Sequence, residues 1–377
     1  MRLLCLMGCM LALFAANAQY TVTITVTAAT VKPNDAIYIA GSFNNWNPQD
    51  VNARLVKLNA NKYSISFTNV DAGDYVFKFT RGSWQSVECA DKGTDIANRL
   101  LTVASDTTMQ YSIAGWKDLF TGITAKTNTA LPNVVLADSN FAMPQLNSSR
   151  SIWVFLPDDY NNNINKHYPV IYMHDAQNIF NNATSFSGEW GVDECIDSMK
   201  KQCIVVGIEN GGNKRMHEYN PFDDARFGKG EGKLYLQWIV NNLKPYIDTK
   251  YRTLPGKKHT AIAGSSMGGL ISFYAGLYYP HVFGTLGLFS PSFWINPNVY
   301  DEIKQLAKKK THGKQRYYFY CGDKEPGMVA DMQKVASLLQ EKAFAAQQIS
   351  INPAGQHNEA YWQKEFAVFY RWMLQLK

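Results

Sequence analysis

The chain has 377 residues, a length that favours two domains over a single core. Hydrophobic residues make up 46% and charged residues 18%, which is ordinary for a globular protein and excludes a disordered or fibrous chain. The formal net charge of +6 is spread over short clusters, so we expect no nucleic-acid partner.

The first 18 residues, MRLLCLMGCMLALFAANA, have the pattern of a secretory signal peptide. A positive charge precedes an apolar stretch, and small residues at its end predict cleavage before Gln19. A lipoprotein signal around Cys9 is the weaker alternative, because almost no apolar region precedes this cysteine. We therefore predict an exported protein, periplasmic or secreted, without an integral membrane segment.

Residues 19–113 predict a small all-β domain. Four segments are rich in β-branched and aromatic residues and are separated by turn sequences: YTVTITVTA, DAIYIAGSF, KYSISFTNV and YVFKFTRG. Several short strands with frequent turns favour an immunoglobulin-like β-sandwich. Residues 114–130, rich in Thr, Ala, Lys and Asn, predict a linker.

Residues 131–377 predict an α/β domain. Apolar runs alternate with amphipathic segments, and the runs are YPVIYMH, CIVVGIEN, HTAIAGS, TLGLFS, RYYFYCG and QISINPAG. The segments predicted as helices are 192–201, 234–247, 268–277, 328–344 and 359–376. This alternation favours a mainly parallel sheet, with reactive groups beyond the carboxyl ends of its strands.

Four cysteines remain after removal of the signal: Cys89, Cys195, Cys203 and Cys321. Cys195 and Cys203 could form a disulfide in an oxidising compartment, but the sequence does not fix that pairing. The Cys and His spacings match no zinc site, so we expect no metal.

The stretch HTAIAGSSMGGLISFYAGL joins a predicted strand to a predicted helix through small residues. Its G-x-S-x-G spacing around Ser266 is typical of a nucleophile elbow, a sharp turn that exposes a serine hydroxyl. Such a serine requires a base to remove its proton and an acid to orient that base.

Three histidines follow Ser266: His281, His312 and His357. Only His357 lies in a loop beyond a predicted strand end, which makes it the predicted base. The acid is expected after RYYFYCG, where Asp323 and Glu325 are both candidates and the spacing does not choose between them. Asp331 is less well placed.

A tetrahedral oxyanion requires two preorganised hydrogen-bond donors. The backbone N–H of Met267, directly after the predicted nucleophile, is one candidate. The other is expected in the loop after the strand VIYMH, at Ala176 or Gln177.

From about residue 130 onward the chain resembles the esterase family of α/β-hydrolases. That family includes enterochelin-type esterases, feruloyl and acetyl-xylan esterases of carbohydrate esterase family 1, and mycolyltransferases. The matching stretches are RSIWVFLPDDY, YPVIYMHDAQNIF, IVVGIENGG, HEYNPF, AGSSMGG, FSPSFW and GQHNEAYWQKEF. The resemblance implies an α/β-hydrolase fold, Ser266 as nucleophile and His357 as base. Related feruloyl esterases carry their acid three residues after the strand-end glycine, which implies Glu325 over Asp323.

The stretch IYIAGSFNNWNP is similar to carbohydrate-binding modules of the starch- and glycogen-binding type. This resemblance implies that Trp46 and Trp84 stack on sugar rings. The alternative is that these tryptophans pack inside the domain and that the module is a structural appendage.

Together the signal peptide and the resemblances imply an exported serine esterase with no metal or organic cofactor. The expected partner is an acylated polysaccharide or oligosaccharide, such as feruloylated or acetylated xylan. The alternatives are a siderophore-type ester hydrolase and a non-catalytic glycan-binding protein. Five loop residues are candidates for lining the substrate pocket, although each also fits a structural role: Glu189, Trp190, Arg215, Tyr219 and Trp294.

Overall fold

The computed structural model describes residues 19–28, 35–44, 46–94, 96, 98–120, 126–186, 188–199, 202–224, 228–306, 315–341 and 345–375. The predicted signal peptide and His312 lie outside these residues. The chain splits into two compact units, Met1–Ile123 and Thr124–Lys377. In the described part of the chain, no helix has the length and apolar character needed to cross a membrane.

The first unit is built of short strands. Their bounds are β1 (Gln19–Ala28), β2 (Tyr38–Gly41), β3 (Val56–Lys57), β4 (Lys62–Asp71), β5 (Gly73–Thr80), β6 (Glu88–Cys89), β7 (Arg99–Val103), β8 (Thr107–Ile113) and β9 (Gly115–Trp116). One sheet has the order β3-β4-β1-β8, a second has the order β2-β5-β7, and β6 pairs with β9. Side chains from β1, β5 and β7 share one buried core, for example Ile24, Phe77 and Leu101. The predicted β-sandwich is therefore present.

The predicted linker, residues 114–130, is not free at either end. Strand β9 pairs with β6, and Trp116 is fully buried in the core of the first unit. At the other end, the Thr129 hydroxyl donates to Glu189 and the Leu131 N–H donates to Asp193, both in the second unit. The sequence did not predict strand β9, because a strand of two residues has no measurable periodicity.

The second unit has an eight-stranded sheet with helices along it. Its strands are β10 (Val134–Met143), β11 (Ser148–Phe155), β12 (Val170–His174), β13 (Ile204–Ile208), β14 (Thr260–Ser265), β15 (Thr285–Phe289), β16 (Gln315–Gly322) and β17 (Ala345–Asn352). Its helices are α1 (Val192–Asp197), α2 (Arg215–Glu218), α3 (Gly232–Trp238), α4 (Lys244–Lys250), α5 (Met267–Tyr278), α6 (Val299–Leu306), α7 (Pro326–Glu341) and α8 (Glu359–Leu374). A π-helical turn, Ile239–Leu243, joins α3 to α4.

The strand order is β10-β11-β13-β12-β14-β15-β16-β17. The pairs β10–β11 and β11–β13 are antiparallel, and the pairs from β13 to β17 are parallel. This is the α/β-hydrolase architecture predicted from the sequence. The central strands are buried throughout, which explains why they read as continuous apolar runs. Because these strands are parallel, the residues that follow them meet at one edge of the sheet.

The cysteines of the second unit, Cys195, Cys203 and Cys321, are free thiols in this structure. Burial raises the pKa of the Cys203 thiol to about 12 and that of Cys195 to about 11. Both thiols are therefore protonated and unreactive at neutral pH. The Cys195–Cys203 pairing stays a prediction.

Candidate active site

Ser266 occupies the turn between β14 and α5. Its backbone has φ 56° and ψ −120°, a conformation that residues with a side chain rarely adopt. A Cβ on Gly264 would lie 2.8 Å from the carbonyl carbon of Gly268, so the strand and helix can meet this closely only because residue 264 is glycine. The turn therefore has the geometry of the predicted nucleophile elbow.

His357 and Glu325 form a direct pair. The Nδ1 of His357 lies 2.5 Å from Oε2 of Glu325. The other carboxylate oxygen, Oε1, accepts hydrogen bonds from the Gly322 N–H and the Ser290 hydroxyl, each at 2.9 Å. The Glu325 side chain is 4% exposed, whereas that of His357 is 26% exposed. The carboxylate is thus enclosed and the imidazole faces outward.

The charge state of Glu325 suits the task of orienting a histidine. Burial alone would raise the pKa of this carboxyl, but the hydrogen bond and charge of His357 and the two other donors hold the pKa below its ordinary value. Glu325 is therefore an anion at neutral pH. An anion at Nδ1 favours the tautomer that carries its proton there, which leaves Nε2 free to accept one.

The other candidates for the acid and the base lie elsewhere. Asp323 pairs with Lys324 at 3.6 Å, and Asp331 accepts a hydrogen bond from the Tyr300 hydroxyl. His281 contacts the ring of Tyr279 at the end of α5. Glu325 is therefore the carboxylate that the fold brings to His357.

Two backbone donors lie in the elbow and in the loop after β12. In the described part of the chain, the N–H groups of Met267 and Ala176 have no hydrogen-bond acceptor. Their elements adjoin, because β12 and β14 are neighbours and a Cβ on Gly268 would lie 3.2 Å from Oδ2 of Asp175. Unpaired donors at the start of a helix and in a neighbouring loop are what an oxyanion hole requires.

Gln177, the alternative donor, has a second task. Its side-chain amide exchanges two hydrogen bonds with the backbone of Asn210, at 3.1 and 3.3 Å. This exchange ties the loop after β12 to the loop after β13. Gln177 thus connects the loop that carries Ala176 to the neighbouring loop.

Asp175 and Arg215 brace the same loop. Arg215 donates to both carboxylate oxygens of Asp175, at 2.6 and 2.8 Å, and Asn210 donates to Oδ1 at 2.8 Å. Burial alone would raise the pKa of Asp175, but the charge and hydrogen bonds of Arg215 lower it. Arg215 is therefore engaged in holding the loop, whereas we predicted it as a pocket-lining residue.

Two of the predicted pocket residues are corrected by their burial. Tyr219 has no exposed surface and packs between Arg215 and His174. Trp190 is 4% exposed and packs edge-on against Phe289. Neither lines an open pocket in this conformation. Both predictions failed because an aromatic residue after a strand can turn into the core as readily as out of it.

The remaining two pocket candidates are half-buried. Glu189 accepts a hydrogen bond from the Thr129 hydroxyl at 2.5 Å, and burial raises the pKa of its carboxyl. Trp294 lies two residues after Ser292 and packs against the core. A substrate contact for either residue stays a prediction.

Ser290 and Trp362 contact the Glu325–His357 pair, and the sequence predicted neither contact. The Trp362 indole donates to the Ser290 hydroxyl at 3.1 Å, and that hydroxyl donates onward to Glu325. The ring of Trp362 also meets the His357 ring edge-on, with centroids 5.0 Å apart. The stretch FSPSFW was among those that matched the family, but nothing in its pattern indicated a contact between Ser290 and Glu325.

Glu359 is a second buried carboxyl close to the site. It opens α8 two residues after His357, is 8% exposed and accepts a hydrogen bond from Asn178 at 3.0 Å. Burial raises its pKa to about 7, and the hydrogen bond from its own backbone N–H and the nearby charges of His357 and Arg215 reverse only part of this shift. Its ionisation therefore falls near neutral pH.

We expect Glu359→Gln to change how stability depends on pH. A folded-state pKa above the unfolded value of about 4.5 means that the folded protein binds this proton more tightly. The free energy of unfolding should fall as the pH rises from about 4.5 to 7, by at most about 3 kcal/mol from this group. Glutamine keeps the acceptor for Asn178 but cannot ionise, so the variant should lose this decline.

Urea denaturation of parent and variant at pH 5 and pH 8 measures the effect. Glu341→Gln, at the exposed end of α7, is the matched control and should follow the parent. If Glu359→Gln also follows the parent at both pH values, Glu359 is ionised in the folded protein.

Trp46 and Trp84 of the first unit lie side by side. Their ring centroids are 6.1 Å apart, with 39° between the ring planes. Both side chains are only half-buried, so each keeps part of its surface accessible. Trp46 is held with a positive φ of 56°, in the turn after β2.

The model of the family described as "Putative esterase" matches residues 143–373, more than half of the chain. The chain belongs to this esterase family. The match spans the predicted nucleophile, acid and base. Hydrolysis of ester bonds is therefore the activity that the family supports. In the described residues, no group of three or more His, Cys, Asp or Glu residues could hold a metal ion.

Curated relatives match different shares of the chain. The uncharacterised protein YbbA of Bacillus subtilis (strain 168) is 28% identical over 247 residues, which are 60% of this chain and 92% of that protein. An alpha-amylase of Niallia circulans is 42% identical over 101 residues, 26% of this chain but 8% of the amylase. An endo-1,4-beta-xylanase/feruloyl esterase of Xylanibacter ruminicola is 28% identical over 178 residues, 46% of this chain and 22% of that protein.

Solved structures show the same fold. A ferulic acid esterase covers 64% of this chain and 97% of its own, with a TM-score of 0.50 and 22% identity. The enterochelin esterase of Shigella flexneri covers 95% of this chain and 93% of its own, with a TM-score of 0.53 and 14% identity. At these identities the likeness concerns the fold alone, and in the second case it extends over both units.

Proposed function

We propose that this protein is an exported serine esterase that removes feruloyl or acetyl groups from plant polysaccharides or their fragments. The observation that carries the chemistry is the enclosed Glu325 paired with an outward-facing His357, on the domain that presents Ser266 in an elbow. These are the parts of a nucleophile, base and acid in the α/β-hydrolase order.

In the proposed reaction, Ser266 Oγ attacks the ester carbonyl while Nε2 of His357 takes the hydroxyl proton. The Met267 and Ala176 N–H groups stabilise the oxyanion. Collapse of the intermediate breaks the bond to the alcohol, which leaves with the proton from His357. Water then attacks the acyl-enzyme with His357 as base, and the released acid leaves Ser266 free again.

The proposal of a polysaccharide substrate is supported by the names of similar proteins. One of them is named an endo-1,4-beta-xylanase/feruloyl esterase. The chain also shares a stretch of 101 residues with an alpha-amylase, which supports a glycan ligand for part of this chain. Both matches span a minor part of those proteins, so their whole activities are not carried over to this chain.

A siderophore-type ester is the second candidate substrate. The fold likeness to an enterochelin esterase covers 95% of this chain, including the first unit, whereas the likeness to the ferulic acid esterase covers 64%. Hydrolysis of a carboxylic ester is common to both candidates, so the fold does not separate them.

A hydrolysis screen of the purified protein, lacking residues 1–18, separates the candidates. Methyl ferulate, acetylated xylan and a catecholate trilactone are assayed side by side at equal concentration. We expect one of the first two to be hydrolysed fastest. Preference for the trilactone would replace the polysaccharide substrate, and failure on all three esters would favour a glycan-binding protein without activity.

We expect the double variant Trp46→Ala/Trp84→Ala to lose polymer binding while keeping small-ester hydrolysis. Each stacking contact of an aromatic ring contributes on the order of 1 kcal/mol, enough to weaken capture of a long glycan but not to alter chemistry in the second unit. Pull-down on insoluble xylan and on starch, with methyl ferulate turnover in parallel, measures both properties. A variant that binds polymer normally but melts several degrees lower would make the tryptophans structural.

A further inference from the structure

The segment after β15 contacts the predicted nucleophile and the predicted acid together. Ser290 donates to Glu325, and two residues later the Oγ of Ser292 lies 3.2 Å from the Oγ of Ser266. The backbone fixes this approach on both sides. The Ser266 N–H donates to the Phe289 carbonyl at 2.9 Å, and the Ser292 N–H donates to the Ser266 carbonyl at 3.1 Å.

Ser292 is 2% exposed, so water does not compete for its hydroxyl. Among the described residues, Ser266 is the partner of that hydroxyl. We propose that Ser292 is a further catalytic residue, which donates a hydrogen bond to Ser266 Oγ and accelerates the release of the acyl group. This inference rests on the proposed function, in which Ser266 carries that group.

The number of protons on Ser266 Oγ determines which serine donates in the hydrogen bond between Ser266 and Ser292. Glu325 occupies Nδ1 of His357, so Nε2 is the atom that receives the Ser266 proton. Once Ser266 donates to His357, its oxygen can only accept from Ser292. In the acyl-enzyme the Ser266 oxygen has no proton at all, and Ser292 is again the donor.

The two half-reactions depend differently on this bond. In deacylation, the bond between the acyl carbon and Ser266 Oγ breaks, the electron pair goes to Oγ, and His357 returns a proton to it. A donor at Oγ stabilises the negative charge that develops there. In acylation, the same donor draws electron density away from the attacking oxygen, so its loss costs little.

Ser292→Ala should therefore lengthen the life of the acyl-enzyme. A hydrogen bond to a charged oxygen is worth about 10-fold to 100-fold in rate, and we expect deacylation to slow by that factor. The turnover number kcat and KM should fall together, while kcat/KM, which reports on acylation, should stay within about 3-fold.

The experiment uses 4-nitrophenyl acetate. Intact-mass spectrometry of acid-quenched samples follows the acetylated fraction of the protein, during turnover and after the substrate is exhausted. Ser272→Ala is the matched control, because it removes a buried hydroxyl on α5 that donates to the Gly268 carbonyl at 2.7 Å. This control should leave the acetyl-enzyme lifetime unchanged.

Ser292→Cys keeps the shape of the side chain with a weaker donor, and carries the test if the alanine variant does not fold. Its acetyl-enzyme lifetime should lie between those of the parent and the alanine variant. A parental lifetime in the folded variants, or equal losses in acylation and deacylation, would overturn the role of Ser292. If the parent itself never carries acetyl on Ser266, the proposed function is what has failed.

Discussion

Ser266→Ala should fold normally and lose nearly all esterase activity, because the variant has no oxygen to form the acyl-enzyme. Removing the nucleophile of a serine hydrolase typically costs about 10⁶-fold in turnover. The elbow itself should persist, since Ser266 holds its neighbours through backbone hydrogen bonds to Phe289, Leu270 and Ser292. Turnover of 4-nitrophenyl acetate and the melting temperature together measure the effect.

Ser272→Ala is the control for a serine removed from the same unit, and it should retain activity. Parental turnover by Ser266→Ala would refute the assignment of the nucleophile. A lower melting temperature with equal loss of activity in both variants would show damage to the fold instead.

Glu325→Gln should have the second-largest effect on turnover. Glutamine has nearly the same shape, but it is neutral and cannot stabilise the imidazolium that forms as His357 takes a proton. Its amide nitrogen can also face Nδ1 and impose the wrong tautomer. The acid of such a triad typically contributes about 10⁴-fold.

Asp323→Asn provides the matched control two residues away. Asp323 pairs with the exposed Lys324 at 3.6 Å, so its charge should be worth little to catalysis. Steady-state kinetics on methyl ferulate give the ranking. Greater loss in Asp323→Asn than in Glu325→Gln would move the acid to Asp323.

The sequence predicted the second unit well because buried parallel strands produce unmistakable apolar runs. The helix over 268–277 is found one residue longer at each end, as Met267–Tyr278. The short helix Val299–Leu306 was missed, as was strand β9 with its buried Trp116. Elements this short depend on tertiary packing more than on their own pattern.

Within the candidate site, motif spacing predicted Ser266 and His357, and the resemblance favoured Glu325. Spacing alone could not choose the acid, because Asp323 and Glu325 share one turn. The turn separates the two side chains: the Glu325 N–H donates to the Gly322 carbonyl at 3.1 Å, and the Glu325 carboxylate folds back onto the Gly322 N–H. That closure sends Glu325 inward to His357.

The sequence could not predict the roles of residues that depend on their three-dimensional neighbours. Tyr219 and Trp190 were predicted to face a ligand, yet they pack inside. Ser292 and Glu359 matter because of neighbours that are 26 and 181 positions away along the chain, Ser266 and Asn178. Contacts between residues so far apart in the chain form only in the folded sheet, so the sequence pattern does not predict them.

The central claim is that Ser266 is the activated nucleophile of a serine esterase. Labelling with a fluorophosphonate probe tests it most directly, because the probe forms a phosphorus–oxygen bond only with an activated serine as fluoride leaves. Peptide mapping of the labelled parent should place one probe molecule on Ser266, and Ser266→Ala should remain unlabelled. Modification at another residue, or equal labelling of Ser266→Ala, would contradict the claim.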